Sequence, residues 1–381
     1  MSTILLFGGG LQSLSIARGL SEKGHRVINM SEKKAVGKFS RFIDTFIRVD
    51  LDRLLPDVVE VQIQKNRIDA IIPLEDEYTE WLSTYKNRIE DKTGCKVASP
   101  NIDLLKKVIN KSSLLGFCQE KGIPHPITTP IVFCHIESSL RDFEFPALIK
   151  PNVSNGSRGI CKVENYDELV AKATCIASEF GACTLQEYIE NDHYYNVMLY
   201  RYQDGSYGPR VATKISRYYP IKGGSSSFCT TISDSRLFNI CEDLLDKLGW
   251  YGFADFDVLE KGEGDYRIIE INPRVPASVH AAYVSGVDYG FVIVEDMLFS
   301  RKAEMSYTPG ESLRCLGLDI AWFLSSPARF NASPNWFKFL GKHLHYQEGG
   351  LKDWKAMAYS IYCGVRKQLS PSFRKAKAGM N

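Results

Sequence analysis

The feature that most constrains the fold is the opening of the chain, where the apolar run Thr3 to Phe7 meets Gly8-Gly9-Gly10. A short apolar run ended by glycines reads as a buried strand closed by a tight turn. Ser13 to Lys23 predicts a helix stopped by Gly24, and Val27 to Met30 predicts a second buried strand. Asp69-Ala70-Ile71-Ile72-Pro73 predicts another strand, which ends in the acidic loop Glu75-Asp76-Glu77. Strands that are apolar throughout and alternate with helices belong in a parallel, doubly wound sheet. Such sheets bind ligands outside the carboxyl ends of their strands, where Gly8 to Gln12 and Glu75 to Tyr78 fall.

Composition narrows the class. A chain of 381 residues exceeds one ordinary core, so two or three domains are expected. With 47 Lys and Arg against 45 Asp and Glu, nothing in the global charge points to nucleic acid as a partner. Aromatic residues make up 12% of the chain, enough to build packed cores and to argue against disorder. The N-terminus lacks a basic leader, and no apolar run approaches the ~20 residues that span a bilayer. Ten cysteines are scattered without a C-x-x-C, so neither zinc nor dithiol chemistry is indicated. Reduced thiols in a cytoplasmic protein are the expectation.

Beyond about Pro100 the pattern changes. Leu104 to Lys121 predicts one helix, stopped by Gly122 and Pro124-His125-Pro126. Phe145 to Pro151 predicts a strand running into the small-residue loop Ser154 to Gly159, followed by a helix over Tyr166 to Phe180 and a strand over Thr184 to Ile189. Asp204-Gly205 marks a turn between two strands. Phe253 to Leu259 and Tyr266 to Ile271 predict a strand pair joined by Lys261 to Asp265. This mixture predicts an α+β region. From Ser300 onward the chain carries Trp322, Trp336 and Trp354 and ends with Arg366, Lys367, Arg374, Lys375 and Lys377. Lys352 to Leu369 fits an amphipathic helix. A basic end of this kind either rests on an anionic membrane surface or packs on the fold with a solvated tail.

Three places carry chemistry. The Gly8 to Ser13 turn nearly meets the dinucleotide pattern G-x-G-x-x-G, with Ser13 in place of the third glycine. A dinucleotide-dependent oxidoreductase built on that turn would leave the central residues without roles. Lys150 ends an apolar strand beside Ser154-Asn155-Gly156-Ser157-Arg158-Gly159, where an ammonium and loop N–H groups can hold a polyphosphate. The alternative is a surface lysine before a turn. In Glu270-Ile271-Asn272-Pro273-Arg274, residues two apart share a strand face, so Glu270 and Asn272 project together, as do Asp255 and Asp257. Their oxygens are hard donors suited to Mg²⁺, and Arg274 can neutralise phosphate. The alternative is an acidic, solvent-facing hairpin.

Lys111, Lys150 with its glycine loop, Gln186-Glu187-Tyr188-Ile189, Asp257 and Glu270 to Arg274 resemble, in order and spacing, the ATP-grasp superfamily, and the chain over about residues 1–300 resembles its carboxylate–amine ligase branch. The resemblance implies a Rossmann-like pre-ATP-grasp domain (1–105) and a two-subdomain ATP-grasp fold (106–300, lid about 115–185), with a C-terminal extension (301–381). It implies ATP phosphates held by Lys111, Lys150, Ser154, Gly156, Ser157 and Gly159. The adenine would lie against Gln186, Glu187, Tyr188 and Ile189, with Asp192 or Glu190 near the ribose. Asp257, Glu270 and Asn272 would hold Mg²⁺, or Mn²⁺ in its place. Arg274, Lys214 and Arg217 would act on substrate or phosphate, with Lys222-Gly223-Gly224-Ser225 beside them. The sequence departs from the family where Asn191-Asp192-His193 replaces a common ribose-binding glutamate, and where Gln186 stands at a position that is acidic in some members.

The implied activity is a ligase that phosphorylates a carboxylate with ATP and joins it to an amine, of an amino acid or amino sugar, in a polysaccharide, peptide or natural-product pathway. A carboxylase or carbamoyl-phosphate-type enzyme is the nearest alternative, and a catalytically silent nucleotide-binding regulator is another. A homodimer is the expected assembly.

Overall fold

The computed structural model describes residues 1–32, 35–132, 140–153, 159–190, 193–221 and 224–369. Three sheets follow one another along the chain. The first is parallel throughout, in the order β3-β2-β1-β4-β5, from β1 (Thr3–Phe7), β2 (Arg26–Ser31), β3 (Thr45–Arg48), β4 (Ala70–Pro73) and β5 (Lys96–Val97). Helices α1 (Gln12–Glu22), α2 (Pro56–Asn66) and α3 (Asp76–Thr93) connect its strands. The doubly wound expectation is met because β4 and, from Ile4 on, β1 are buried at every residue, which requires cover on both faces.

Two short helices follow, α4 (Ile102–Ile109) and α5 (Lys111–Lys121), where the sequence predicts one. The break is at Asn110, which is extended and caps α5 by accepting a hydrogen bond from Ser113 N at 3.1 Å. The chain then forms a four-stranded sheet in the order β6-β9-β7-β8, from β6 (Thr128–Pro130), β7 (Ala147–Pro151), β8 (Cys161–Val163) and β9 (Cys183–Glu187). Helix α6 (Tyr166–Phe180) covers this sheet, which has its own small core of Ile149, Val163, Leu169, Ala173 and Leu185.

The largest sheet has seven strands in the order β14-β13-β10-β11-β12-β15-β16: β10 (Tyr194–Arg201), β11 (Tyr207–Tyr219), β12 (Ser225–Ile232), β13 (Gly252–Glu260), β14 (Tyr266–Asn272), β15 (Ser312–Arg314) and β16 (Leu344–Tyr346). Five further helices accompany it: α7 (Ser235–Leu248), α8 (Val279–Val284), α9 (Tyr289–Phe299), α10 (Leu316–Ser325) and α11 (Trp354–Leu369). One face packs α7 and α5 through Val197, Leu199, Phe256, Val258 and Leu244. The other shares a core with the first sheet, where Met198, Tyr200 and Val211 meet Ile4, Leu6, Ile16, Leu20 and Tyr289. The first and third sheets are therefore one packed base, because separating them would expose that shared apolar surface. Residues after 300 are built into this base, since β15 pairs with β12 and β16 extends the sheet.

Candidate active site

The site forms where β13 and β14 run antiparallel. Their register sets Asp255 opposite Asn272 and Asp257 opposite Glu270. Strand alternation keeps Phe256, Val258 and Ile271 in the core on the other face. The oxygens thus gather on one side, as the sequence predicts. Asn196 on β10 stitches them together. Its amide nitrogen donates to Asp255 Oδ1 at 2.6 Å, to the carbonyl of Phe256 at 3.3 Å and to Asp257 Oδ1 at 3.4 Å. Asn272 donates to Asp255 Oδ2 at 3.3 Å. Burial and the facing carboxylate push Asp257 up, and burial with Asp257 as neighbour pushes Asp255 well above the ordinary range. Burial, then Asp257 and Glu270, likewise raises Tyr194.

Two lysines face this cluster. The break at Asn110 puts Lys111 at the first position of α5, where its side chain is buried and Nζ lies 3.1 Å from Glu270 Oε2. Its backbone N–H donates to Asn152 O at 2.8 Å and so joins α5 to the small sheet. Lys150, near the end of β7, is buried and donates to Gln186 Oε1, and Gln186 donates in turn to Thr128 Oγ1 at 3.3 Å. Burial, reinforced by Lys111 and opposed by Glu270 and Asp257, brings Lys150 down to about 8. Glu187 is paired with Lys261 at 3.0 Å. The N–H groups of Glu187 and Tyr188 donate to Ile127 O and Pro146 O at 2.9 and 3.3 Å, so a backbone donor to a purine here would come from beyond Tyr188.

Arg274 joins the cluster to the first sheet. Its Nε donates to Asp76 Oδ1 at 2.9 Å, and its Nη2 lies 3.5 Å from Asn272 Oδ1. Beside Asp76, the Glu75 carboxyl is raised by burial, although the Gly9 N–H bonds to it. Gly8 has φ +114°, and a Cβ on Gly9 would sit 2.3 Å from Ala35 Cβ. The glycine turn is thus filled by the protein's own Ala35 and Glu75, which disfavours the dinucleotide reading.

Two predicted residues lie elsewhere. Lys214 pairs in register with Tyr195, one position off the Asn196–Thr213 pair, so it falls on the opposite sheet face. Its Nζ is 6.0 Å from the Tyr195 ring centroid. Arg217 is a correction: it is fully buried against Asp319, with Nε and Nη2 donating at 2.7 and 3.1 Å, and it lies between Phe228 and Trp322. A guanidinium locked into a buried fork has no free donors to turn toward a ligand. Gly159 lies at φ +74° packed against Pro151 and Phe180. Ser154, Gly156, Ser157, Asp192, Lys222 and the tail residues Arg374, Lys375 and Lys377 lie outside the described residues. Asn196 was missed in the sequence, and the pairing of Asp76 with Arg274 was not foreseen. Asn196 carried one signal, a lone amide within the apolar strand Tyr194 to Tyr200.

The donor set fits a divalent cation. Among the described residues no three His, Cys, Asp or Glu side chains converge to hold a metal alone. Asp257, Glu270 and the Asn272 amide leave positions for phosphate oxygens, the coordination Mg²⁺ prefers. The repulsion that raises Asp257 is what a cation would relieve.

Residues 108–278 match the family model described as the ATP-grasp domain. Over 414 aligned positions the chain is 23% identical to a D-aspartate ligase of Enterococcus faecium, covering 97% of this chain and 96% of that protein. The fold superposes on biotin carboxylase from Campylobacter jejuni with a TM-score of 0.67 at 17% identity, covering 82% and 74% of the two chains. It superposes on an L-amino acid ligase from Bacillus licheniformis with a TM-score of 0.64 at 12% identity, covering 82% and 78%. The order of the three sheets, the facing lysines and carboxylates, and these matches agree: residues 108–278 carry an ATP-grasp domain, in a chain similar over most of its length to a D-aspartate ligase.

Proposed function

We propose that the chain is an ATP-dependent ligase that activates a carboxylate as an acyl phosphate and joins it to the amine of an amino acid or amino sugar. One observation carries this reading: two buried lysines lie beside the carboxylates, Lys111 in contact with Glu270 and Lys150 within the field of Glu270 and Asp257. Buried cations opposite half-buried carboxylates suit a triphosphate with its counter-ions, whose charges would neutralise both sets.

In this reading Lys111 and Lys150 hold phosphate oxygens, and the segment around Gln186 to Ile189 holds the base. Asp257, Glu270 and Asn272 would bind Mg²⁺, or Mn²⁺ in its place, which neutralises phosphate charge when bound. Arg274, anchored by Asp76, faces the reacting phosphoryl group. A carboxylate oxygen attacks the γ-phosphorus, the bond to the bridging oxygen breaks, and ADP departs. The amine nitrogen then attacks the acyl carbon and loses a proton, and inorganic phosphate leaves. Exclusion of water matters because water competes for the acyl phosphate. The small sheet over the site supports that role. A cytoplasmic homodimer completes the reading.

The D-aspartate ligase relative matches nearly the whole chain, so acidic amino acids head the list of co-substrates. The test is ADP release with Mg²⁺ and ATP across pairs of small carboxylates, amino acids (D- and L-aspartate included) and amino sugars. Pair-dependent release with an amide product supports ligation. Release that needs bicarbonate in place of an organic acid would favour the carboxylase reading.

A further inference from the structure

The ligase chemistry does not use the surface formed by the loop after α10. Leu324, Phe330, Phe337 and Leu340 are exposed by 70, 68, 54 and 88%, far more than large apolar side chains in a packed fold. Phe330 and Phe337 belong to a built aromatic cluster. Phe323 stacks on Trp336 at 4.1 Å and meets Phe330 and Phe337 edge-on at 5.7 Å each, and Trp336 packs on Phe339 at 5.1 Å. Beneath them the loop is anchored: Arg217 donates to Pro334 O at 2.8 Å, Arg314 donates to Trp336 O at 3.0 Å, and Trp336 Nε1 donates to Asp319 O at 3.1 Å. The buried Arg217–Asp319–Arg314 group therefore presents the aromatic loop.

Charge selects the occupant. Arg329, Lys338 and Lys342 flank the apolar side chains, and no acid occurs between Asp319 and Glu348. From residue 320 to the end the sequence holds ten Lys and Arg against two acids, Glu348 and Asp353, and both acids are buried. The first 319 residues hold 37 against 43, so the positive charge is concentrated at this end. Lys338 and Lys342 bracket Phe339 and Leu340, a pairing that protein interfaces disfavour because lysine is depleted in them. Aromatic and aliphatic tips with cations beside them along the chain match the boundary between anionic headgroups and acyl chains. Among the described residues no helix is long and apolar enough to cross a membrane, so contact would be peripheral.

We propose that residues 324–342 form a docking surface for an anionic lipid bilayer, with Phe330, Phe337 and Leu340 entering the interface and Arg329, Lys338 and Lys342 meeting the headgroups. The test uses the full chain with vesicles of equal parts phosphatidylglycerol and phosphatidylcholine, compared with pure phosphatidylcholine, by co-sedimentation and tryptophan fluorescence. The expected result is binding to the anionic vesicles only, weakened by salt, with a blue shift of the tryptophan emission. Phe330→Ser/Phe337→Ser/Leu340→Ser and, separately, Lys338→Glu/Lys342→Glu should each reduce vesicle affinity by more than about tenfold. ADP release should stay at the parent level in both variants. Three outcomes overturn the proposal: no binding to anionic vesicles at low salt, binding that both variants retain, or a parent chain that self-associates through this loop and leaves vesicles unbound.

Discussion

Lys150 offers a quantitative test of the nucleotide site. Burial brings its ammonium down to about 8 from an ordinary 10.5, with Lys111 as the second cause. The folded chain therefore binds fewer protons than the unfolded chain between these values, and stability rises with pH across that window. At neutral pH the charged, buried lysine costs up to about 3 kcal/mol, at about 1.4 kcal/mol for each tenfold loss of proton affinity. Lys150→Met should accordingly raise the thermal midpoint of the ligand-free protein at pH 7. Nucleotide binding should reverse the sign, because a triphosphate favours the charged form. With a pKa near 8, the protonated fraction falls from about 0.76 at pH 7.5 to about 0.09 at pH 9, so ATP affinity should fall about eightfold. Isothermal titration of MgATP across this range, in buffers of differing ionisation enthalpy, reads both the affinity and the proton taken up. A flat affinity profile, or the same slope in Lys150→Met, would remove Lys150 from the phosphate contact.

Three further outcomes are expected. Glu270→Gln should abolish ADP release while leaving the fold intact by circular dichroism, and retained turnover would exclude Glu270 from the ion-binding role. Asn196→Ala frees Asp255 and Asp257 from their shared donor and should weaken Mg²⁺ dependence of turnover by about 10–100-fold, as loss of groups that orient metal ligands does; an unchanged Mg²⁺ titration would make Asn196 a packing residue. Arg217→Ala leaves the buried Asp319 carboxylate with Arg314 as its remaining cation and should destabilise the chain by about 1–3 kcal/mol in urea unfolding, whereas Arg274→Ala should lose turnover with a smaller stability change. The opposite pattern would restore Arg217 to the catalytic set.

The parts of the site visible in the sequence share one property: they depend on local periodicity. The placement of Glu270 with Asn272, and of Asp255 with Asp257, follows from the two-residue repeat of a strand, which any sheet imposes. The apolar strand before Gly8 and the parallel first sheet were readable for the same reason. Lys111 marks the edge of that method. Its burial depends on a helix break at Asn110, whose cap signal was present but was outweighed by a run of helix-forming residues on both sides.

Identity and spacing along the chain thus determined the doubly wound first region, the α+β region after it, and the oxygen donors and two lysines as candidates. Only the tertiary structure decided which cations serve the site. Arg217 and Lys214 lie three residues apart on one strand, yet one is consumed by Asp319, 102 residues later, and the other faces away from the carboxylates. A cation's role is set by the nearest opposite charge in space, because Coulomb attraction strengthens steeply in a dry interior. That neighbour is chosen by sheet order and loop return, which the local pattern of residues does not encode.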